Sequence, residues 1–481
     1  MAVLGYAEIV LGLLCFLFLR HYWKHNKNSP PITNWPVVGM LPGLFRNASR
    51  MYNCTSRVLQ HYGGTVQVKG PWCTGVNFFI TSDPMNAHYI LSKNFLNYEK
   101  GSEIRAILEP LGDGIINSDS DCKFELFLMK VVQKKVVTGL IPLLNHISKS
   151  EIEVDLQEVF KRFTFDNSCV MVLGFDPISL SVEFPKRTYE KAFDEIEEAI
   201  LYRHIVPNWC WKLQRWLQIG QEKKLRKPWD AFDHFRDKTH LEEAKFDLLT
   251  AYMMQEEIVN MGVCSKSNKF LRDTAFNLIA AGSDTMGASL AWFFWLIATH
   301  PSVETKILKE IKENLMVKDD KKWECFGIQE LDTLVYLHAA LCEALRLYPV
   351  VAFDPRTAVK ADILPSGHRI SANTPIIISL YAMGRMEEIW GEDCMQYKPE
   401  RWISEQGGLI SVPSYKFTAF GGGPRSCLGK AMAFIQMKIV ATSIIWNFQV
   451  EMVEGHPVSP SVSVVLHMKH GLKVRITKRS V

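Results

Sequence analysis

A single cysteine between two groups of glycines constrains this chain more than any other feature. Residues 420–429 read FGGGPRSCLG, so Cys427 follows Arg425 by two positions and precedes Gly429 by two. Glycine lets a backbone turn sharply and approach a bulky group closely. Residues 430–440 then show a helical pattern, and a cysteine just before a helix lies near its positive end, which lowers the pKa and favours the thiolate. The stretch therefore predicts a tight loop that presents a thiolate.

Three interpretations of this loop can be compared. A cysteine near a glycine-rich turn is most often a buried, inert thiol. A phosphate-binding loop is excluded, because that motif needs four residues between its glycines and then Gly-Lys-Ser/Thr. Here Ala431 follows Lys430, and Pro424 stands where the first glycine should be. A thiolate in a loop that can lie flat against a large group also suits the axial ligand of a haem iron.

The spacing of the fixed residues resembles a known signature. Residues 420–429 match the complete cysteine-loop pattern of the cytochrome P450 (haem-thiolate monooxygenase) superfamily. The resemblance implies that Cys427 is the axial ligand of the iron of haem b and that Arg425 pairs with a haem propionate. The other cofactor-binding positions that it implies in this loop are Phe420, Gly421 and Gly429.

Composition and charge exclude several classes of protein. The chain has 481 residues, 47% of them hydrophobic, which suffices for two or three domains or one large fold. The formal net charge is +4, from 55 basic and 51 acidic residues, so we expect no nucleic-acid partner. The 11 cysteines show no CxxC, zinc-site or CxxCH spacing, so we expect reduced and mostly structural thiols, with Cys427 as the exception.

Residues 1–20 predict a single transmembrane anchor. Residues 1–19 contain no lysine or arginine and one acidic residue, Glu8. A helix of this length spans roughly 28 Å, close to the thickness of a bilayer core. Arg20 and Lys24 follow, and this positive charge favours a cytosolic location for the rest of the chain. The alternative, a cleaved signal peptide, would need a basic start and a small-residue cleavage site, and the segment has neither.

A basic and proline-rich hinge is expected over residues 21–45, followed by one large catalytic domain over residues 46–481. Pro30, Pro31 and Pro36 stiffen this connector, because proline fixes its own φ and restricts the residue before it. An ordinary proline-rich linker would have the same composition. The resemblance implies the hinge that orients the catalytic domain of microsomal family members on the membrane.

The pattern of apolar residues predicts a mainly α-helical protein with a small β region. Residues 65–68 and 76–81 read as the two strands of a hairpin. Asp83 and Pro84 then predict a short helix with proline at its first position. Residues 150–262 show a charged, helical pattern. The resemblance implies the cytochrome P450 fold, which has this composition of elements.

One feature of the family is missing near Cys122. The family's third helix normally carries Trp-x-x-x-Arg, whose two side chains hold a haem propionate. This chain has no tryptophan between residues 72 and 209 and no arginine between residues 105 and 162. The segment also looks shortened, and Lys123 and Lys130 are the candidates to replace the lost cation.

Residues 268–299 form a long, mostly apolar run that predicts a helix crossing the whole domain. In its middle, residues 281–285 read AGSDT. Polar residues and glycine destabilise an apolar helix. The polar residues of this motif therefore either form an internal hydrogen-bonded pair or take part in the reaction. The motif resembles the family's oxygen-activation sequence, which implies a local kink that makes room for dioxygen. Asp284 and Thr285 would then relay protons to the distal oxygen.

Two charged residues stand on a helix with apolar flanks. Glu343 and Arg346 are spaced i, i+3, so they lie on one face within bonding reach. A buried charge needs a partner, and Arg401 supplies a second cation downstream. These three residues resemble the family's structural charge cluster, and we assign them to stability. Arg356, just past this helix, matches the family's second propionate-binding position.

The resemblance spans roughly residues 30–481 and is densest over residues 331–478. Within the family, the chain resembles the plant midchain alkane hydroxylases and long-chain fatty acid ω-hydroxylases of wax and cutin synthesis. This implies a hydrophobic aliphatic substrate and NADPH delivered through a separate NADPH–cytochrome P450 reductase. It also implies a single-pass protein of the endoplasmic reticulum membrane whose catalytic domain faces the cytosol.

Three alternative functions stay open. Residues 349–354 read PVVAFD, without the second proline usual in this group and with an acidic ending, so a phenol-coupling oxidase of the same group is one alternative. A degenerate, haem-poor relative is a second alternative, because Trp-x-x-x-Arg is missing. A third keeps haem but rearranges its substrate without dioxygen. Asp284 and Thr285 argue against this last activity, because it needs no proton relay.

Overall fold

The computed structural model describes most of the chain. It covers residues 12, 13, 15, 16, 20, 32–35, 37–72, 77–108, 123–182, 190–206, 208–225, 268–315 and 328–479. Most of the expected anchor, the first part of the expected hinge and the lead-in to the third helix lie outside these residues. No helix within the described residues is long and apolar enough to cross a bilayer.

Helices are the dominant elements, as the sequence predicts. Their bounds are α1 Leu41–Arg46, α2 Met51–His61, α3 Pro84–His88, α4 Gly101–Leu108, α5 Lys123–Lys135, α6 Ile141–Ser150, α7 Leu156–Leu173, α8 Glu190–Ile205, α9 Asn208–Leu217, α10 Gly220–Lys224, α11 Asn268–Thr299, α12 Pro301–Asn314, α13 Ile328–Asp332, α14 Val335–Leu347, α15 Leu380–Met383, α16 Glu387–Trp390 and α17 Lys430–Asn447. Tighter 3-10 turns are formed by Ala48–Arg50, Phe95–Asn97, Pro399–Trp402 and Gly423–Arg425, and wider π turns by Tyr89–Lys93 and Val136–Leu140.

The β region consists of short strands. They are β1 Thr65–Lys69, β2 Asn77–Thr81, β3 Tyr98–Glu99, β4 Val154–Asp155, β5 Phe353–Ala358, β6 Asp362–Ile363, β7 Arg369–Ile370, β8 Pro375–Ser379, β9 Phe448–Met452 and β10 Lys473–Lys478. The largest sheet has the order β1-β2-β8-β5-β3, and smaller sheets have the orders β4-β10-β9 and β6-β7. The prediction of a mainly α-helical protein with a small β region is confirmed.

The predicted hairpin forms the first two strands of the large sheet. Thr65 lies opposite Thr81 in an antiparallel register between β1 and β2. Strand β8 then pairs in parallel with β2 and antiparallel with β5. Alternate residues of a strand share one face, so Asp354 and Arg356 of β5 point the same way.

Local sequence signals explain where α3 begins. The Asp83 carboxylate accepts hydrogen bonds from the backbone N–H groups of Met85 at 2.7 Å and Asn86 at 3.2 Å. These groups have no partner within the helix itself, so the side chain replaces the missing acceptors. Pro84 occupies the first helical position, as predicted.

The long helix α11 has the predicted bounds and packs closely on α7. A Cβ atom built at Gly282 would lie 3.0 Å from Ser168 Oγ, and one at Gly287 would lie 3.3 Å from the backbone of Lys161. Glycine at these two positions therefore lets the helix backbones approach. The close contact fixes which face of α11 is turned away from α7.

Two further helices form the base behind the cysteine loop. Residues 339–347 of α14 and 436–446 of α17 are buried without interruption. Lys438 on α17 is also buried, and its Nζ donates to the Leu331 carbonyl at 2.9 Å. The end of the loop is therefore anchored by a helix that runs through the core.

Candidate functional site

The loop at residues 420–429 is closed by its own backbone. The N–H of Cys427 donates to the carbonyl of Phe420 at 2.8 Å, which brings the two ends of the loop together. Gly421 and Gly423 have φ angles of 71° and 65°, a region that glycine adopts without strain. The sharp turn expected from these glycines is present.

Gly423 also lets the loop meet the π turn Tyr89–Lys93. A Cβ atom at Gly423 would lie 1.9 Å from the Leu91 carbonyl oxygen, which is far too close for any side chain. Gly422 packs on the Leu91 side chain, with 3.4 Å between a built Cβ and Cδ1. The cysteine loop is therefore pressed against the segment that leads into β3.

Cys427 is accessible at the surface, unlike the cysteines of the described core. The backbone N–H of Gly429 and the charge of Lys430 lower the thiol pKa, in the expected direction. However, partial desolvation of the thiol is the largest effect, and it raises the pKa overall. The expectation of a lowered pKa is wrong for the uncoordinated thiol, because desolvation outweighs the helix end. Coordination to a metal ion deprotonates a thiol outright.

The other predicted residues of the loop lie beside this sulfur or pack on helix α17. A Cβ atom at Gly429 would lie 3.9 Å from Cys427 Sγ, so the glycine leaves space beside the sulfur. The ring of Phe420 packs on Phe434 of α17, with 5.3 Å between centroids. The closest contact of a Cβ at Gly421 would be 3.8 Å, so this position is open on one side.

Arg425 ties the loop to the large sheet. Its Nη1 donates to the Tyr98 carbonyl at 2.6 Å, and its guanidinium lies 5.6 Å from the ring centre of Phe95. Tyr98 pairs with Ala358 of β5, the strand that carries Arg356. The structure therefore brings the two predicted propionate-binding arginines to one side of the site.

Arg356 is buried and already has an anionic partner. Its Nη1 lies 2.6 Å from Asp354 Oδ1, with 9% of the arginine side chain and 16% of the aspartate side chain exposed. Burial raises the pKa of Asp354 above its ordinary value, and the charges of Arg356, Lys100 and Arg425 oppose this shift without cancelling it. Three cations thus surround one carboxylate. Sequence reasoning missed the roles of Asp354 and Lys100 here. The alternation of side chains along a strand could have indicated that Asp354 lies beside Arg356, whereas no sequence pattern indicates Lys100.

These residues fit a haem. The accessible Cys427 thiol is a suitable iron ligand, and its glycine-rich loop keeps bulky side chains away from the sulfur. Arg425 and Arg356 would hold the propionates, with Lys100 nearby. The chemistry of this donor set, one thiol beside a cluster of cations, matches a flat anionic cofactor that carries a metal ion.

The predicted oxygen-activation motif lies within α11, and its residues differ in exposure. Ala281 is exposed, although residues 286–294 are all buried. The Thr285 hydroxyl donates to the Ala281 carbonyl at 2.6 Å, so both residues lie on the same face. The helix runs continuously through the motif. The expected local kink stays a prediction, since a helix can bend without being interrupted.

Asp284 points in a different direction from Thr285. Its Oδ2 lies 2.9 Å from His467 Nε2, and its Oδ1 lies 3.7 Å from Lys161 Nζ. Successive helix residues do not face each other, so the structure does not place this carboxylate beside the Thr285 hydroxyl. Sequence reasoning missed His467, which is 183 residues away in the chain.

The predicted charge cluster is assembled behind the loop. Glu343 is fully buried and accepts two hydrogen bonds of 2.7 Å from Arg346, one of 3.4 Å from Arg401 and one of 2.8 Å from the Trp402 indole. Arg346 also donates to the carbonyls of Gly384 and, at 2.6 Å, Cys394. These contacts join α14 to the segment that leads into the loop.

The family model for cytochrome P450 matches residues 29–474. The chain belongs to the cytochrome P450 family. Alkane hydroxylase MAH1 of Arabidopsis thaliana is 41% identical over 507 aligned positions that cover 100% of both chains. Noroxomaritidine synthase of Narcissus aff. pseudonarcissus MK-2014 is 39% identical and covers 99% of this chain and 97% of its own. Cytochrome P450 86B1 of Arabidopsis thaliana is 39% identical, with coverage of 98% and 90%.

Membership in the cytochrome P450 family settles the class of enzyme. The protein is a monooxygenase of the oxidoreductase class, and the family implies haem iron, a redox partner and hydrophobic substrates. The prediction of a P450 related to plant alkane hydroxylases is confirmed. The relatives do not by themselves assign its substrate.

The helix α5 follows the region where this cytochrome P450 lacks Trp-x-x-x-Arg. Lys130 is exposed on it, and Lys135 is buried, with Nζ 2.6 Å from the Asp166 carboxylate. The side chain of Lys123 and the predicted lead-in around Cys122 lie outside the described residues.

Proposed function

We propose that this cytochrome P450 hydroxylates long-chain aliphatic substrates, either alkanes or fatty acids. One dioxygen molecule, two protons and the two electrons of NADPH, delivered through a separate NADPH–cytochrome P450 reductase, would convert a C–H bond into C–OH and release one water. The observation that carries the proposal is the 41% identity to alkane hydroxylase MAH1 across the full length of both chains. The predicted anchor at residues 1–20 would place the enzyme in the endoplasmic reticulum membrane, where such substrates partition.

The segment after α14 supports an apolar substrate. Val350 and Ala352 are buried, and Val351 is 39% exposed. Phe353 stacks on Tyr52 with 5.6 Å between the ring centroids. An aliphatic chain that covered the exposed Val351 side chain would gain free energy by removing its apolar surface from water.

The chain's own residues would position the cofactor and move protons. Bound haem, ligated by a thiolate, supplies the activation of dioxygen. Cys427 would hold the iron, and Arg425 and Arg356 would hold the propionates. The Thr285 hydroxyl, one turn from the accessible Ala281, would donate a proton at Oγ1.

The first test is the carbon monoxide difference spectrum of the reduced full-length protein in microsomes. We expect the band of thiolate-ligated haem, and we expect the matched variant Cys427→Ser to lose it. Incubation with reductase, NADPH and either alkanes or fatty acids should then give hydroxylated products by mass spectrometry. Absence of the band in a stable wild-type protein would favour the haem-poor alternative and refute the proposed activity.

The Thr285 role has its own matched pair of variants. Thr285→Ala should lower the amount of product per NADPH consumed several-fold, because the proton donor is lost, while Thr285→Ser should retain it. NADPH oxidation and product are measured in the same reaction. Unchanged coupling in Thr285→Ala would contradict the role, and NADPH-independent turnover would support a rearrangement instead.

A phenol-coupling oxidase is the second candidate. The observation that favours it is the 39% identity to noroxomaritidine synthase over nearly the whole of both chains. Both candidates predict the same haem spectrum, so substrate-induced spectral shifts separate them. A shift with a phenolic amine but with neither alkanes nor fatty acids would replace the aliphatic assignment.

A further inference from the structure

The cation cluster beside the cysteine loop contains a carboxylate of the chain itself. Asp354 and Arg356 stand two positions apart on β5, and their side chains meet at 2.6 Å. Lys100 follows β3, and its carbonyl accepts a hydrogen bond of 3.3 Å from Thr357, next to Arg356. Arg425 reaches the same edge through the Tyr98 carbonyl. Opposite charges therefore share one mostly buried space.

The net charge of this cluster depends on Asp354. The three cations that act on Asp354 are Lys100, Arg356 and Arg425. With the Asp354 carboxylate ionised, this cluster carries a net positive charge that equals the negative charge of two propionates. Asp354 therefore neutralises part of the positive charge that the propionates would otherwise meet in this cluster.

We propose that Asp354 competes with a haem propionate for Arg356 and so sets how firmly the enzyme retains its haem. This inference rests on haem binding at Cys427. A guanidinium has a limited number of donors in fixed directions. Because Asp354 already forms an ion pair with Arg356 at 2.6 Å, and Arg356 Nη1 donates to the Pro355 carbonyl at 3.0 Å, a propionate obtains only the remaining donors of this arginine and shares its charge with Asp354. Asp354 is thus a positioning residue that acts through Arg356.

The test measures haem release from the full-length holoenzyme to a haem-scavenging apoprotein, followed by absorbance. Asp354→Asn should slow release by roughly three- to tenfold, since one competing ion pair is removed. Asp354→Ser should act in the same direction, and Asp354→Glu, which keeps the charge, should stay near the wild-type rate. A purely structural role would instead make release faster in all three variants.

Arg356 supplies the decisive control. Arg356→Met should release haem faster than the wild type, and adding Asp354→Asn to it should bring no further slowing, because the competition no longer exists. The midpoint potential of the iron should also become more positive in Asp354→Asn, since removing a nearby negative charge favours the reduced state. Haem release from Asp354→Asn at the wild-type rate or faster would refute this inference and leave the proposed function intact. A wild-type protein without thiolate-ligated haem would refute both.

Discussion

Replacing Glu343 by glutamine is the sharpest perturbation of the fold behind the site. The carboxylate receives hydrogen bonds from Arg346, Trp402 and the backbone N–H of Lys398, and lies 3.4 Å from Arg401 Nε. Glutamine keeps one acceptor oxygen, but its NH₂ group would face donors rather than acceptors. The variant would therefore leave a buried guanidinium without a compensating charge.

The expected magnitude follows from the burial of the cluster. Removing one partner of a buried ion pair destabilises a protein by about 3–5 kcal/mol. An unfolding entropy of about 2.1 cal/mol/K per residue gives about 0.9 kcal/mol/K for the predicted domain over residues 46–481. Glu343→Gln should therefore lower the apparent Tm by about 4 °C.

The assay compares Glu343→Gln with a matched surface variant. Microsomes are heated in steps, and the folded protein that remains is measured by immunoblotting of the soluble fraction after detergent extraction. Glu313 pairs with Lys309 at 3.7 Å and is 61% exposed, so Glu313→Gln should shift Tm by less than about 1 °C. Equal shifts for the two variants would refute the reasoning that burial determines the cost.

Two further predictions concern the loop and its base. Gly423→Ala should lower the haem content per protein much more than Gly421→Ala. Both positions have a positive φ, which costs a residue with a side chain about 1–2 kcal/mol. Only at Gly423 does a Cβ atom also collide with the Leu91 carbonyl. His338 has a pKa of about 4, lowered from 6.5 by burial and then by Lys438 and Lys430. The unfolded state therefore gains a proton first as pH falls, and stability should drop by about 2 kcal/mol between about pH 7 and pH 5. Urea unfolding of His338→Gln should lack this part of the pH dependence.

Features that depend on short spacing could be predicted from the sequence. The helix over residues 268–299 and the hairpin over residues 65–81 are visible because apolar periodicity and turn residues act locally. The pairing of Glu343 with Arg346 is equally local, since residues three apart lie on one helix face. A charged pair with apolar flanks also indicates burial, and the structure shows it.

Features that depend on the packing of distant elements could not be predicted. Asp284 meets His467 only because the C-terminal segment lies beside α11. Asp354 and Arg356 share a face in any extended strand, but only the order of the sheet brings Lys100 and Arg425 to the same place. The pKa of Cys427 depends on a competition between burial and the helix end, and the sequence indicates only the second effect.

The hydrogen bond between Arg425 and Tyr98 has a consequence for biosynthesis. The two residues are 327 positions apart. A ribosome that adds about 5–20 residues per second needs roughly 15–65 s to synthesise that interval. For most of this time β3 and the π turn at Tyr89–Lys93 are already outside the ribosome, while the loop that covers them does not yet exist. The cofactor site can therefore assemble only near the end of translation, and the nascent chain must keep this edge available until then.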